Sequence, residues 1–103
     1  MEELRQFFCM LRPGRPDMHG NLTPEEGEIF GRHCQYLTER FRERRVLQAG
    51  TSFENGEDGF AIVILSAESK EAAVALMQAD PAVARGLLQA HVTEYDIFLD
   101  RGA

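Results

Sequence analysis

Val46-Leu47-Gln48-Ala49-Gly50-Thr51-Ser52-Phe53, then Glu54-Asn55-Gly56-Glu57-Asp58-Gly59, then Phe60-Ala61-Ile62-Val63-Ile64-Leu65 is the stretch that decides the fold. Two runs rich in apolar and β-branched residues enclose a segment dense in Asn, Asp and Gly, residue types that tolerate positive φ. Residues 46–53 and 60–65 therefore read as an antiparallel hairpin. A helical pattern lies on each side. Upstream, Thr23-Pro24-Glu25-Glu26 supplies a capping residue, a proline at the first helical position and a glutamate three residues after the cap. Phe30, Cys34, Leu37 and Phe41 then recur at helical spacing and predict the inward face of a helix over residues 24–45. Downstream, Ala72, Ala73, Leu76 and Met77 mark the inward face of a second helix over residues 69–79. That helix must stop at Asp80, because proline disfavours helix in the residue before it.

Further out, residues 6–12 are nearly all apolar and are closed by Pro13-Gly14, which reads as a strand. Residues 12–21 carry Pro13, Gly14, Pro16 and Gly20 and form a loop. Residues 81–85 make one short turn ended by Gly86, and residues 87–99 supply a last strand with a bend. The order β-α-β-β-α-β is the split pattern of a ferredoxin-like α+β sandwich, an antiparallel sheet with two helices on one face. Residues 1–103 read as a single domain. Residues 7–11 and 61–65 are apolar on both strand faces, where a sheet wetted on one side should alternate. A second copy of the sheet is the simplest cover. The expectation is a homodimer packed sheet to sheet.

The composition excludes several partners. Among 103 residues the formal net charge is −6, whereas nucleic-acid binding is driven by Lys and Arg displacing counterions. The same balance argues against a polybasic membrane anchor. No stretch approaches the roughly 20 apolar residues of a membrane span, and the run at residues 7–11 is too short for an export signal. Cys9 and Cys34 both lie in apolar patterns and read as reduced, buried thiols rather than a disulfide, so a cytoplasmic location is expected. No Gly-x-Gly-x-x-Gly or phosphate-loop pattern occurs. His19, His33 and His91 are scattered, without ligand spacing, so neither a metal nor another cofactor is implied. The arginines at 40, 42, 44 and 45, interleaved with Glu39 and Glu43, read as a solvated helix end.

His33 carries the chemical interest. It falls inside the apolar stripe, where an unpartnered imidazole would cost stability, and Asp80 before Pro81 is a candidate partner. A carboxylate bonded to one ring nitrogen fixes the tautomer and leaves the other nitrogen for proton transfer. The competing reading makes Asp80 the cap of the turn at Pro81 and His33 a satisfied core histidine. Arg12 at a strand end, Phe8, and His91 on the last strand are candidate substrate-binding residues, with a structural role the stronger reading for His91. Phe7, Met10 and Phe53 are further candidates to line a cavity. Arg15 and Asp17 lie on the long loop that could fold over its mouth.

With residues 7–11, His33-Cys34-Gln35-Tyr36-Leu37, Ala49-Gly50 and Asp80-Pro81 in this order and spacing, the chain resembles the YciI-like (YCII-related) proteins of the dimeric α+β barrel group. Thr51 stands where many relatives carry proline, and Ala82 where an aromatic is frequent. The resemblance covers nearly the whole chain and implies a histidine–aspartate dyad, here His33 and Asp80, in a pocket. Some members look like lyases or dehydrochlorinases acting on small hydroxylated rings, and others are domains attached to regulators. The expected function is a small cytosolic enzyme using the dyad for cofactor-free proton transfer, an elimination or isomerisation, on a small cyclic or carboxylated molecule. A non-catalytic module that binds or senses a small molecule in the same pocket is the second reading. A purely structural dimerisation domain is the third.

Overall fold

The computed structural model describes residues 4–15, 18, 20–52 and 59–101. Strand β1 (Arg5–Pro13) is followed by helix α1 (Pro24–Arg42), strands β2 (Val46–Ser52) and β3 (Phe60–Ala67), helix α2 (Lys70–Gln78), the single turn α3 (Pro81–Ala84) and strand β4 (Leu88–Tyr95). The strands form one sheet in the order β2-β3-β1-β4, and all three pairings are antiparallel. This is the expected ferredoxin-like α+β sandwich. Of the expected turn at residues 54–59, residues 54–58 lie outside the described residues, as do Phe53, Asp17 and His19.

Alternation along the strands sorts side chains between two faces. Phe7, Cys9 and Leu11 of β1, Val63 and Leu65 of β3, and Val92 of β4 face the helices and are buried. They pack with Ala73, Leu76 and Met77 of α2 into one core. The register sets Phe7 opposite Leu65 and Cys9 between Val63 and Val92, so a one-residue slip would turn this whole row to the other face. Burial also holds the Cys9 thiol up at about 11, because a thiolate there would be desolvated.

The capping signals act where the sequence places them. Thr23 accepts the Glu26 backbone N–H at 3.1 Å, and the Glu26 carboxylate accepts the Thr23 N–H at 2.9 Å. Ser69 caps α2 by accepting the Ala72 N–H. The far end of α1 differs from the expected stop at Arg45. Arg44 adopts a left-handed φ of 66°, so the chain leaves the helix after Arg42 and the Arg45 carbonyl accepts the Ser66 N–H at 2.9 Å, tying the start of β2 to the end of β3. The last strand also stops early, at Tyr95, and residues 96–101 run on without regular structure.

The inward face of α1 is rotated from the expected stripe. Ile29 and His33 are its buried residues, while Phe41 is exposed and Cys34 is an exposed thiol. Cys34 is therefore not a core residue. Apolar residues at helical spacing mark a face away from open water, and part of that face here borders a cavity.

Candidate active site

α1 packs on α3 and along β2, which brings His33 to Asp80. Asp80 closes α2 and caps α3, accepting the Ala82 N–H at 2.9 Å through Oδ1. Its other oxygen, Oδ2, accepts from His33 Nδ1 at 2.5 Å. Asp80 is completely buried and His33 is 9% exposed. One carboxylate thus both caps the turn at Pro81 and meets the imidazole of His33. With Nδ1–H committed to Asp80, the tautomer leaves a lone pair on Nε2. The Phe30 ring meets the imidazole edge-on at 5.9 Å, which further fixes its plane.

α3 is locked in place by its own termination. Gly86 N–H donates to the Val83 carbonyl and Leu87 N–H to the Ala82 carbonyl, the paired bonds of a Schellman cap that require the left-handed φ of 78° at Gly86. The expected role of that glycine is met. Gly14 passes so close that a Cβ there would stand 2.3 Å from the Gly86 carbonyl oxygen. Gly14 N–H donates to the Leu87 carbonyl at 2.8 Å, which seats the loop after β1 against the cap of α3.

His33 lines a cavity of about 410 Å³ between α1 and the helix-side face of the sheet. The floor comes from Leu11, Ala61, Thr51 and Leu88, with Phe60 at the start of β3, and Phe30 and Cys34 join His33 on the helix side. The loop before α1 completes the wall with Pro13, Met18, Gly20 and Leu22. Met18 is buried although it lies in a polar, glycine-rich stretch; its isolation among loop residues was the signal a sequence reading missed. Arg15 pins this loop, reaching both carboxylate oxygens of Glu26 at 2.7 and 3.3 Å and the Asn21 carbonyl at 3.0 Å. These bonds from Arg15, then the one from the Thr23 backbone, hold the Glu26 carboxyl below its ordinary range. Arg15 thus braces the wall of the cavity.

Three sequence candidates lie elsewhere. Phe8, Arg12 and His91 belong to the alternate positions of β1 and β4, on the sheet face turned away from the helices. Phe8 packs on Tyr95 with ring centroids 5.7 Å apart, the Arg12 guanidinium sits 5.8 Å over the Phe60 ring, and His91 stands opposite Met10. None of the three borders the cavity at His33. The period of two along a strand is the reason: Leu11 points into the cavity, so Arg12 cannot. Phe7 and Met10 do not border it either.

Among the described residues, no group of three His, Cys, Asp or Glu side chains could hold a metal ion, and no helix is long and apolar enough to cross a membrane. No protein-family model matches the chain, and no curated protein matches it in sequence. Solved structures do. A 5-chloro-2-hydroxyhydroquinone dehydrochlorinase from Burkholderia phenoliruptrix, in complex with 2,5-dihydroxybenzoquinone, superposes with a TM-score of 0.65. It is 18% identical, over 87% of this chain and 93% of that one. The fold is that of the ferredoxin-like α+β sandwich from which dimeric α+β barrels are built. An uncharacterised protein from Thermotoga maritima matches at a TM-score of 0.58 and 10% identity, over 91% of this chain and all of its own. A cofactor-independent oxygenase from Streptomyces nogalater matches at 0.51 and 12%, over 96% of this chain and 98% of that one.

Proposed function

We propose that this chain is a small-molecule enzyme of the YciI-like kind that moves a proton on its substrate without a cofactor, with His33 as general acid/base and Asp80 orienting it. The observation that carries the reading is the buried His33–Asp80 bond of 2.5 Å at the wall of a cavity large enough for one ring. A histidine kept only for packing has no need to line a cavity. In the step envisaged, Nε2 takes a proton from the substrate, the electron pair released expels the leaving group from the neighbouring carbon, and the imidazolium returns its proton to water. Asp80 holds the tautomer and faces the positive charge as it forms.

The lining narrows the substrate. Among the described residues that border the cavity none is Lys or Arg; its polar groups are the His33 imidazole, the Cys34 thiol and the Thr51 hydroxyl. A carboxylate would enter without a counterion, at a desolvation cost. A hydroxylated ring without a carboxylate suits the wall better, and a dihydroxylated quinone ring is bound in the dehydrochlorinase of the same fold. The working unit is a homodimer joined by the outer sheet face, where Phe8, Met10, Ile62 and Tyr95 are only partly covered within one copy, and it acts in the cytoplasm.

The test is turnover of a panel of hydroxyhydroquinones, with and without a ring chlorine, followed by absorbance. Conversion of at least one member is expected. His33→Ala and Asp80→Asn should each lower kcat by about a hundredfold or more, the usual worth of a positioned general acid/base. A His33→Ala enzyme that keeps its rate would overturn the mechanism. Saturable binding of 2,5-dihydroxybenzoquinone without turnover of any relative would favour the sensing module instead.

A further inference from the structure

We infer that residues 96–101 form an arm that docks on a second copy of the chain, seating Phe98 and Leu99 beside that copy's Phe41 and Leu47. The inference rests on the sheet-to-sheet dimer proposed above and adds to it a separate contact. Phe98 and Leu99 are 84% and 82% exposed, the most exposed of the large apolar side chains among the described residues. They sit side by side on a segment that leaves the sheet directly after Tyr95. Scattered exposed leucines are ordinary, but two adjacent large apolar side chains held out on a strand extension call for a cover.

The strand order says where the cover lies. Tyr95 pairs with Gln6, Gln6 pairs with Ser66, and Ser66 N–H donates to the Arg45 carbonyl. The end of β4, the start of β2 and the end of α1 therefore share one end of the sheet. Phe41 and Leu47, 58% and 40% exposed, flank the turn between α1 and β2 at that end. Within one copy the arm does not cover them: β4 and β2 are opposite edges of the sheet, about 14 Å apart at the usual strand spacing, and all four side chains stay exposed. A two-fold axis running along the strands, between facing sheets, lays β4 of one copy over β2 of the other. It also keeps like ends together. That axis carries the arm onto the second copy's Phe41 and Leu47, and the contact is made twice by symmetry.

Charge supports the same placement. Arg42 and Arg44 adjoin Phe41 and form no ion pair with a described residue, and Asp96 at the root of the arm forms none either. The acidic root of the arm thus meets the basic end of the helix, in a chain whose overall charge is negative.

Sedimentation equilibrium on the full chain tests the arm apart from the dimer. Wild type is expected to dimerise. Phe98→Ser with Leu99→Ser, both fully outside the core, should raise the dimer dissociation constant at least tenfold while leaving far-ultraviolet circular dichroism unchanged. Arg42→Glu with Arg44→Glu should weaken the dimer similarly, and adding Asp96→Arg should recover part of the loss. A Phe98→Ser/Leu99→Ser variant that dimerises as tightly as wild type overturns the arm and leaves the sheet-to-sheet dimer standing. A wild type that stays monomeric at tens of micromolar overturns both, and charge reversals that do not compensate overturn the docking site on α1.

Discussion

Cys9 and Cys34 looked equivalent as residues, since each sits in an apolar run, yet the structure separates them. Cys9 is held between two strands in the core, and burial raises its thiol to about 11. Cys34 is exposed at the cavity beside His33. A thiol reagent at pH 8 should therefore modify one cysteine in the native protein and two after unfolding, because the thiolate is the reacting form. Cys34→Ser should abolish the native reaction, and a ligand in the cavity should slow it. The sign of the pH effect on stability follows from the same shift. Between pH 9 and pH 11 the unfolded chain ionises Cys9 while the folded chain does not, so stability falls as the pH rises through that window. A native protein in which both cysteines react at equal rates would contradict the packing of β1.

At the scale of elements, the start of α1 does more than begin a helix. Thr23 and Glu26 cap each other, and Glu26 also receives Arg15 from the loop that walls the cavity. Thr23→Ala should cost about 1 kcal/mol in urea unfolding, the usual worth of such a cap. Glu26→Gln should lower the melting temperature at pH 7 and weaken ligand binding, by releasing Arg15 from the wall. Since Arg15 holds the Glu26 carboxyl below 4.5, its contribution is complete above that pH and is lost as the pH falls through the folded value. The gap in melting temperature between wild type and Glu26→Gln should therefore close in acid. A gap that persists at low pH would show that the ion pair is not what braces the loop.

At the scale of the whole molecule, the sheet has one face buried under helices and another carrying Phe8, Met10, Ile62 and Tyr95 in partial contact with water. Ile62 lies beside Met10 near the middle of that face, so Ile62→Glu should convert a dimer into a monomer without unfolding the core on the other side. Sedimentation and chemical denaturation together check this. A dimer that survives the charge would place the interface on another surface.

Alternation, capping and turn chemistry determined the elements, because those signals act within a few residues. The Thr23 cap, the stop at Asp80, the glycine after α3 and the hairpin strands are all legible in the chain, and with them the βαββαβ order. The pairing of His33 with Asp80 was legible as a candidate, since a polar residue in an apolar stripe demands a partner. Only the tertiary structure decided which face each element presents. The rotation of α1 puts Ile29 and His33 inward and leaves Cys34 at the cavity, because packing on α3 and β2 outweighs the local apolar stripe. The strand register sends Phe8, Arg12 and His91 to the face opposite His33, and Met18 joins the wall through a loop whose path no periodic signal records. Local sequence sets conformation over a turn or two, whereas facing is settled by contacts between residues as far apart as His33 and Asp80.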